Sequence, residues 1–333
     1  MANTNGHLLK VDNLKTYFPI RKGLLRRTVG HVKAVDDISF AIRKGQSLGL
    51  VGESGCGKTT AARSIIRLVP VTSGNVVFDG IDVLSAEKEQ LYAVRRDISI
   101  IFQDPFGSLN PRMTIGNIIG EPIKIHKKTK GQELTEQVAE LLTKVGLSPD
   151  HINRYPHEFS GGQRQRIGVA RALALRPKLV ICDEPVSALD VSIQSQILNL
   201  LKELQEEFSL TYLFIAHDLA VVEFFCDIVA VMYLGKIVEQ ANSQQLYRNP
   251  LHPYTKALMS AIPQIDTTLR GKRTAFGGEV PSAINPPSGC PFHPRCPLAQ
   301  SKCSRQMPTL EQVSGSDGHL IACWFCEKKI FSD

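Results

Sequence analysis

The sequence predicts an α/β fold built on a parallel sheet. Short apolar runs alternate along the chain with amphipathic helical patterns, as βαβ units require. One of these runs, residues 47–51, ends in a glycine-rich loop that opens onto a helical stretch. Beyond residue 261 the chain turns proline-rich and the periodicity stops, which marks a boundary.

Taken in order, residues 8–51 read as β-rich. Residues 8–11 and 34–42 alternate or run apolar, and 47–51 has the pattern of a short buried strand. A helix is expected over 59–68 and a strand over 98–102. Residues 131–147 form an amphipathic helix: Leu134, Val138, Leu141, Leu142 and Val145 share one face at 3.6-residue spacing. Gly146 and Pro149 end it. Residues 179–182 and 211–216 read as buried strands, with a helix over 192–207 between them. The segment 262–297 carries Pro263, Pro281, Pro286, Pro287, Pro291, Pro294 and Pro297, the composition of a loop-rich extension. The expected organisation is a main domain over 1–261, with a helical insertion at about 105–175, and an extension over 262–333.

The 333 residues are 43% apolar, enough for a folded core. The formal net charge is +7, but the basic residues form only small clusters at Arg21-Lys22, Arg26-Arg27 and Lys127-Lys128. A solvated surface near a membrane or a phosphate ligand accounts for them, and no nucleic-acid partner is expected. No apolar run reaches the ~18 residues of a membrane span. The first residues lack a charged-then-apolar leader, so a cytosolic chain is expected, held at any membrane by other subunits. In that compartment the eight cysteines are not expected to pair as disulfides.

Gly52-Glu53-Ser54-Gly55-Cys56-Gly57-Lys58-Thr59 has the spacing of a phosphate-binding loop. Glycines let backbone N–H groups turn inward around phosphates. Lys58 reaches the β- and γ-phosphates, the Thr59 hydroxyl ligates Mg²⁺, and Cys56 is a small filler. The helix that begins beside Thr59 and Thr60 points its positive end at the anion. The run 179–182 delivers Asp183 to the same end of the sheet, where it can hold Mg²⁺, with Glu184 next to it as general base. Gln103 and His217 each follow a strand: the glutamine can touch Mg²⁺ or the attacking water, and the imidazole can hold the γ-phosphate. Either residue alone is a weak signal.

Together these residues resemble the ATP-binding subunits of ABC transporters, a P-loop NTPase family. Ser160-Gly161-Gly162-Gln163 resembles the family's signature motif, with Phe159 where a leucine is more usual. Ser187-Ala188-Leu189-Asp190 resembles its D-loop, and Gln103 and His217 stand at its Q-loop and switch histidine. The resemblance implies a β subdomain, an inserted helical subdomain and a head-to-tail dimer. Each ATP would lie between one subunit's phosphate loop and the other's signature residues. An aromatic near the N-terminus would stack on adenine, Phe18 in preference to Tyr17. The segments Phe102-Gln103-Asp104-Pro105-Phe106-Gly107, Tyr155-Pro156-His157-Glu158 and His252-Pro253-Tyr254-Thr255 are similar to the peptide-importer branch, which also serves nickel and glutathione. Within it the chain looks most like the F-type ATPase subunit of dipeptide or oligopeptide permeases. That implies a second, non-identical ATPase, two transmembrane permease subunits, an extracytoplasmic peptide-binding protein, and a peripheral place on the cytoplasmic face of a bacterial inner membrane. A soluble ABC ATPase outside transport is the less favoured reading, since tandem domains, coiled coils and a zinc insertion in the core are not seen.

Cys290, Cys296, Cys303 and Cys323 fall in the extension, separated by five, six and nineteen residues. By spacing alone they could hold zinc or a [4Fe–4S] cluster, or remain free thiols, with His293 as another ligand and Cys326 spare. The family resemblance favours [4Fe–4S], with a structural role.

Overall fold

The computed structural model describes residues 6–23, 27–104, 107–260 and 279–326. Arg26, Pro105, Phe106, Pro263 and the expected boundary at 261/262 lie outside these residues.

Strands β1 (His7–Lys22) and β2 (Arg27–Arg43) pair as a long antiparallel ribbon. β3 (Ser47–Val51) is buried throughout and leads through the glycine-rich loop into α1 (Lys58–Ile65). The helix stops short of the expected residue 68, because Arg67 adopts a positive φ of 53° and Leu68 is exposed. β4 (Ser73–Phe78) and β5 (Ile81–Asp82) complete a four-stranded antiparallel sheet in the order β2-β1-β4-β5.

After α2 (Lys88–Asp97) and β6 (Ile98–Ile101) come α3 (Ile115–Lys127), α4 (Gly131–Lys144) and α5 (Gly161–Leu173). These three helices pack on one another. The α4 stripe expected from periodicity does the work: Leu134, Val138 and Leu142 are buried, as is Val145 just beyond the helix. The chain then runs through β7 (Leu179–Asp183), α6 (Val191–Phe208), β8 (Thr211–Ala216), α7 (Leu219–Phe225), β9 (Ile228–Tyr233), β10 (Lys236–Asn242), α8 (Ser243–Arg248) and α9 (Pro253–Ser260). In the extension lie α10 (Ser301–Arg305), β11 (Glu311–Gln312) and β12 (Leu320–Ile321).

The second sheet has the order β11-β12-β10-β9-β3-β8-β7-β6. Its pairs from β9 to β6 are parallel, as the alternating pattern predicts. Both faces of this part are covered, so its strands read as continuous apolar runs. Alternate residues serve different cores. Leu48, Leu50, Leu179, Ile181, Leu213 and Ile215 face the antiparallel sheet. Val51, Val180, Cys182, Tyr212, Phe214 and Ala216 face the helices.

The extension departs from the loop-like sequence pattern. β12 adds antiparallel to β10, pairing Ile321 with Glu239 and Leu320 with Gln240. A small apolar cluster of Leu251, Val313 and Ile321 seals the junction. Beneath it the fully buried Glu239 carboxylate accepts from the backbone N–H groups of Leu251 and His252 at 2.8 and 3.0 Å, and lies 2.7 Å from His319 Nε2.

Candidate nucleotide site

The loop between β3 and α1 owes its shape to two glycines. Gly52 has φ 154°, and a Cβ there would sit 2.1 Å from the Met232 carbonyl oxygen. Gly57 has φ 106°, and its Cβ would sit 2.0 Å from the Ala34 carbonyl oxygen. Any side chain at either position would have to displace backbone. Inside the loop the buried Lys58 ammonium donates to the carbonyls of Gly52 at 2.7 Å and Glu53 at 3.1 Å. Cys56 is buried beside it. Burial pushes its thiol pKa up, Lys58 partly offsets this, and the side chain remains a neutral filler.

Ser54, Gly55, Gly57, Lys58, Thr59 and Thr60 line a cavity of about 490 Å³. Gln103, Glu184 and His217 line the same cavity. Parallel strands explain the meeting: Gln103 follows β6, Asp183 and Glu184 stand at the end of β7, and His217 follows β8, so all emerge at the same edge.

Asp183 accepts from the Thr59 hydroxyl at 2.8 Å. Burial raises its carboxyl pKa, while Thr59, Arg63 and Lys58 pull the other way. The next residue, Glu184, takes a positive φ of 50° and donates its N–H to the Ile215 carbonyl at 3.0 Å. That turn leaves its side chain facing the cavity. Glu184 Oε2 accepts from Gln103 Nε2 at 2.8 Å and lies 3.1 Å from His217 Nδ1. Two residues that are weak signals in the sequence thus share one carboxylate.

The two aromatic candidates have different neighbours. Phe18 pairs across the ribbon with Val32, and Val32 lines the cavity. Tyr17 is committed to the Asp36 carboxylate, with Lys33 Nζ 5.7 Å from its ring centroid.

The four signature residues lie outside this cavity. Ser160 caps α5: its hydroxyl accepts from the Gln163 N–H at 3.3 Å, and the Gln163 side chain accepts from the Ser160 N–H at 3.0 Å. Gly161 and Gly162 form the first turn against Leu189 and Ile193, and a Cβ on Gly162 would come within 2.6 Å of Ile193. Phe159 is buried edge-on against His151, which accommodates the departure from leucine. Asp190 stands at the N-cap position of α6, without a side-chain capping bond, next to the exposed Val191. The result is a helix N-terminus that, among the described residues, stands apart from the cavity lined by Lys58 and Thr59.

A family model described as ABC transporter matches residues 35–187, and one described as the C-terminal region of oligopeptide/dipeptide transporters matches residues 238–303. The oligopeptide transport ATP-binding protein AppF of Bacillus subtilis is 55% identical over 95% of this chain and 96% of its own. The chain belongs to the ATP-binding proteins of ABC oligopeptide transporters. The OppF protein of the same description from Escherichia coli is 54% identical over 95% of each chain. The ATP-binding cassette MJ0796, solved as a dimer with ADP and Pi, superposes with a TM-score of 0.62 at 28% identity. It covers 71% of this chain and 98% of its own. No helix among the described residues is long and apolar enough to cross a membrane.

For this ABC subunit the cysteines were expected to form a [4Fe–4S] or zinc site, and the described residues lend that expectation no assembled ligand set. Cys290, Cys296, Cys303 and Cys323 do line one cavity, but its volume is about 20 Å³. That is room for about one water between the side chains as they stand. Among the described residues no three His, Cys, Asp or Glu side chains stand together as a metal site. Burial, with the neighbouring Cys303, Cys323 and Cys296, pushes the Cys290 thiol up to about 11. His293 is turned to its own loop, with Nδ1 2.9 Å from the Cys290 carbonyl oxygen.

Two residues near the nucleotide cavity escape sequence reasoning. Ala283 lines it from the extension, and Arg295 pairs with Glu53 of the phosphate loop. Neither carries a local signal, because each meets the loop only through the fold.

Proposed function

We propose that this chain binds ATP with its phosphate loop and hydrolyses it to power peptide import through an ABC transporter. The observation that carries the reading is the convergence of Gln103, Glu184 and His217 with Lys58 and Thr59 on one cavity. The identity to AppF and OppF over nearly the whole chain supports peptide as cargo.

The roles follow from the geometry. Lys58 is held by two carbonyls and can transfer its ammonium to the β- and γ-phosphates. Thr59, Asp183 and Gln103 offer hard oxygen donors at one place and would hold Mg²⁺, which neutralises phosphate charge when bound. Glu184 takes a proton from water as the water oxygen attacks the γ-phosphorus, and the bond to the ADP oxygen breaks. His217 and Gln103 orient that carboxylate. Phe18 stacks on the base. Ser160, Gly161, Gly162 and Gln163, with Asp190 beside them, act on a partner's ATP through the α5 N-terminus.

The partners that fit are a second, non-identical ATPase, two permease subunits and an external peptide-binding protein. The chain would then sit peripherally on the cytoplasmic face of the membrane. Glu184→Gln in the assembled transporter tests the reading: ATP should still bind while turnover falls steeply, and undiminished turnover would refute it.

A metal in the extension keeps one support, the cavity shared by four cysteines. Ligation would require the sulfurs to rearrange and lose their protons. Anaerobic purification decides among the three states. Absorbance near 400 nm supports a cluster, a colourless protein with one zinc supports zinc, and a metal-free protein leaves free thiols.

A further inference from the structure

Glu53 is the second residue of the phosphate loop, and three partners fix it. Its N–H donates to the Tyr254 hydroxyl at 2.8 Å, and its carbonyl accepts from Lys58 at 3.1 Å. Its carboxylate is gripped by both terminal nitrogens of Arg295, at 2.8 and 3.1 Å. This fork-to-fork geometry is the most directional ion pair available to a protein. It is also sheltered, with the Arg295 side chain only 5% exposed.

Arg295 is itself well set. It lies in the turn His293–Arg295, and its N–H donates to the Phe292 carbonyl at 3.0 Å. Phe292 is buried against Tyr233 and Tyr254, with ring centroids 5.3 and 5.5 Å away. The guanidinium also reaches the Tyr233 hydroxyl at 3.5 Å. A second contact is independent of these. The Lys33 N–H donates to the Ala283 carbonyl at 3.1 Å, and Ala283 lines the same cavity as Lys58. The extension therefore touches the nucleotide site at two places.

We propose that Arg295 is a positioning residue for the nucleotide site, holding Glu53 so that the loop presents Lys58 to the phosphates, and that ATP affinity in this subunit therefore depends on its C-terminal extension. The proposal rests on the ATP reading above. Arg295 does not touch the reacting atoms. Its effect falls on binding in ground and transition state alike, hence on KM for ATP and not on kcat.

Titration of the full-length chain with a fluorescent ATP analogue, paired with steady-state hydrolysis in the assembled transporter, provides the test. Arg295→Met should weaken ATP binding about tenfold while kcat at saturating ATP stays within about twofold. Arg295→Lys, which keeps the charge but loses the fork, should fall between. Glu53→Gln should match Arg295→Met, and the double variant should be no weaker than either single one. Wild-type affinity in a folded Arg295→Met, or additive losses in the double variant, would overturn the proposal. Should Arg295→Met fail to fold, Glu53→Gln decides, since it leaves the extension's own contacts in place: unchanged affinity there also overturns it. Lys58→Ala separates the two levels. If wild type and Lys58→Ala bind equally poorly, the ATP reading itself fails. If only Lys58→Ala loses binding, the role of Arg295 fails alone.

Discussion

The nucleotide edge of the sheet and the C-terminal extension are held by different means. At the nucleotide edge a continuous apolar core supports parallel strands, and the polar residues emerge from strand ends already aligned. The extension is held by Val313 and Ile321 against Leu251, by Phe292 set in the main core, by two strand residues paired with β10, and by a few buried polar contacts. Changes in the first region should alter chemistry without unfolding it. Changes in the second should alter how the segment is attached.

The largest expected effect sharpens the chemical side. Glu184→Gln should lower turnover by about 10²–10⁴ with ATP binding retained, measured by single-turnover hydrolysis and nucleotide titration. A comparable loss of thermal stability would break the contrast.

On the extension side, His319→Leu should be costly to stability. It leaves the fully buried Glu239 without one of its three partners, and breaking such a buried pair costs about 3–5 kcal/mol. Denaturant melts should show the loss, and hydrogen exchange at Leu320 and Ile321 should rise before that of β3. Uniform loosening of both regions would argue that they are one cooperative unit.

A smaller effect is visible in pH. Burial pushes the His252 pKa from 6.5 down to about 4, with Glu239 partly opposing. The folded state therefore prefers neutral His252. Its contribution is complete above about pH 6.5 and is lost as pH falls towards about 4, because only the unfolded chain takes up the proton. The loss should be about 1–3 kcal/mol across that window. His252→Asn should flatten this part of a stability–pH curve, and an unchanged slope would assign it to other groups.

The smallest effect tests the presented helix end. Ser160→Ala removes an N-cap and should cost about 1 kcal/mol of stability. If Ser160 also serves a partner's nucleotide, hydrolysis by the assembled transporter should fall by much more than that cost implies. Equal small changes in both would leave it a cap only.

Much of this was legible in the sequence, for particular reasons. The loop at 52–59 has a spacing that sterics and phosphate chemistry impose locally, and the strand runs 179–182 and 211–216 announce burial on two faces. The stripe on α4 carries its own period. Gln103 and His217 were weak alone because their meaning is a shared partner, Glu184, reached from other strands. The cysteine spacing left zinc, a cluster and free thiols open; the fold brings the four to one cavity, but among the described residues they do not stand as a ligand set, since separation along the chain does not set the distance between sulfurs.

The sequence by itself determined the fold class, the phosphate loop, the carboxylates at the end of β7 and the glycine motif at residues 160–163, all of which are encoded in short stretches of chain. Only the tertiary structure decided that a proline-rich tail joins the central sheet, that Tyr17 is tied to Asp36 while Phe18 pairs with Val32, and that Arg295 grips Glu53. The physical reason is range. Backbone sterics and hydrophobic periodicity act between near neighbours, whereas a salt bridge spanning 242 residues leaves no pattern until the fold brings its ends together.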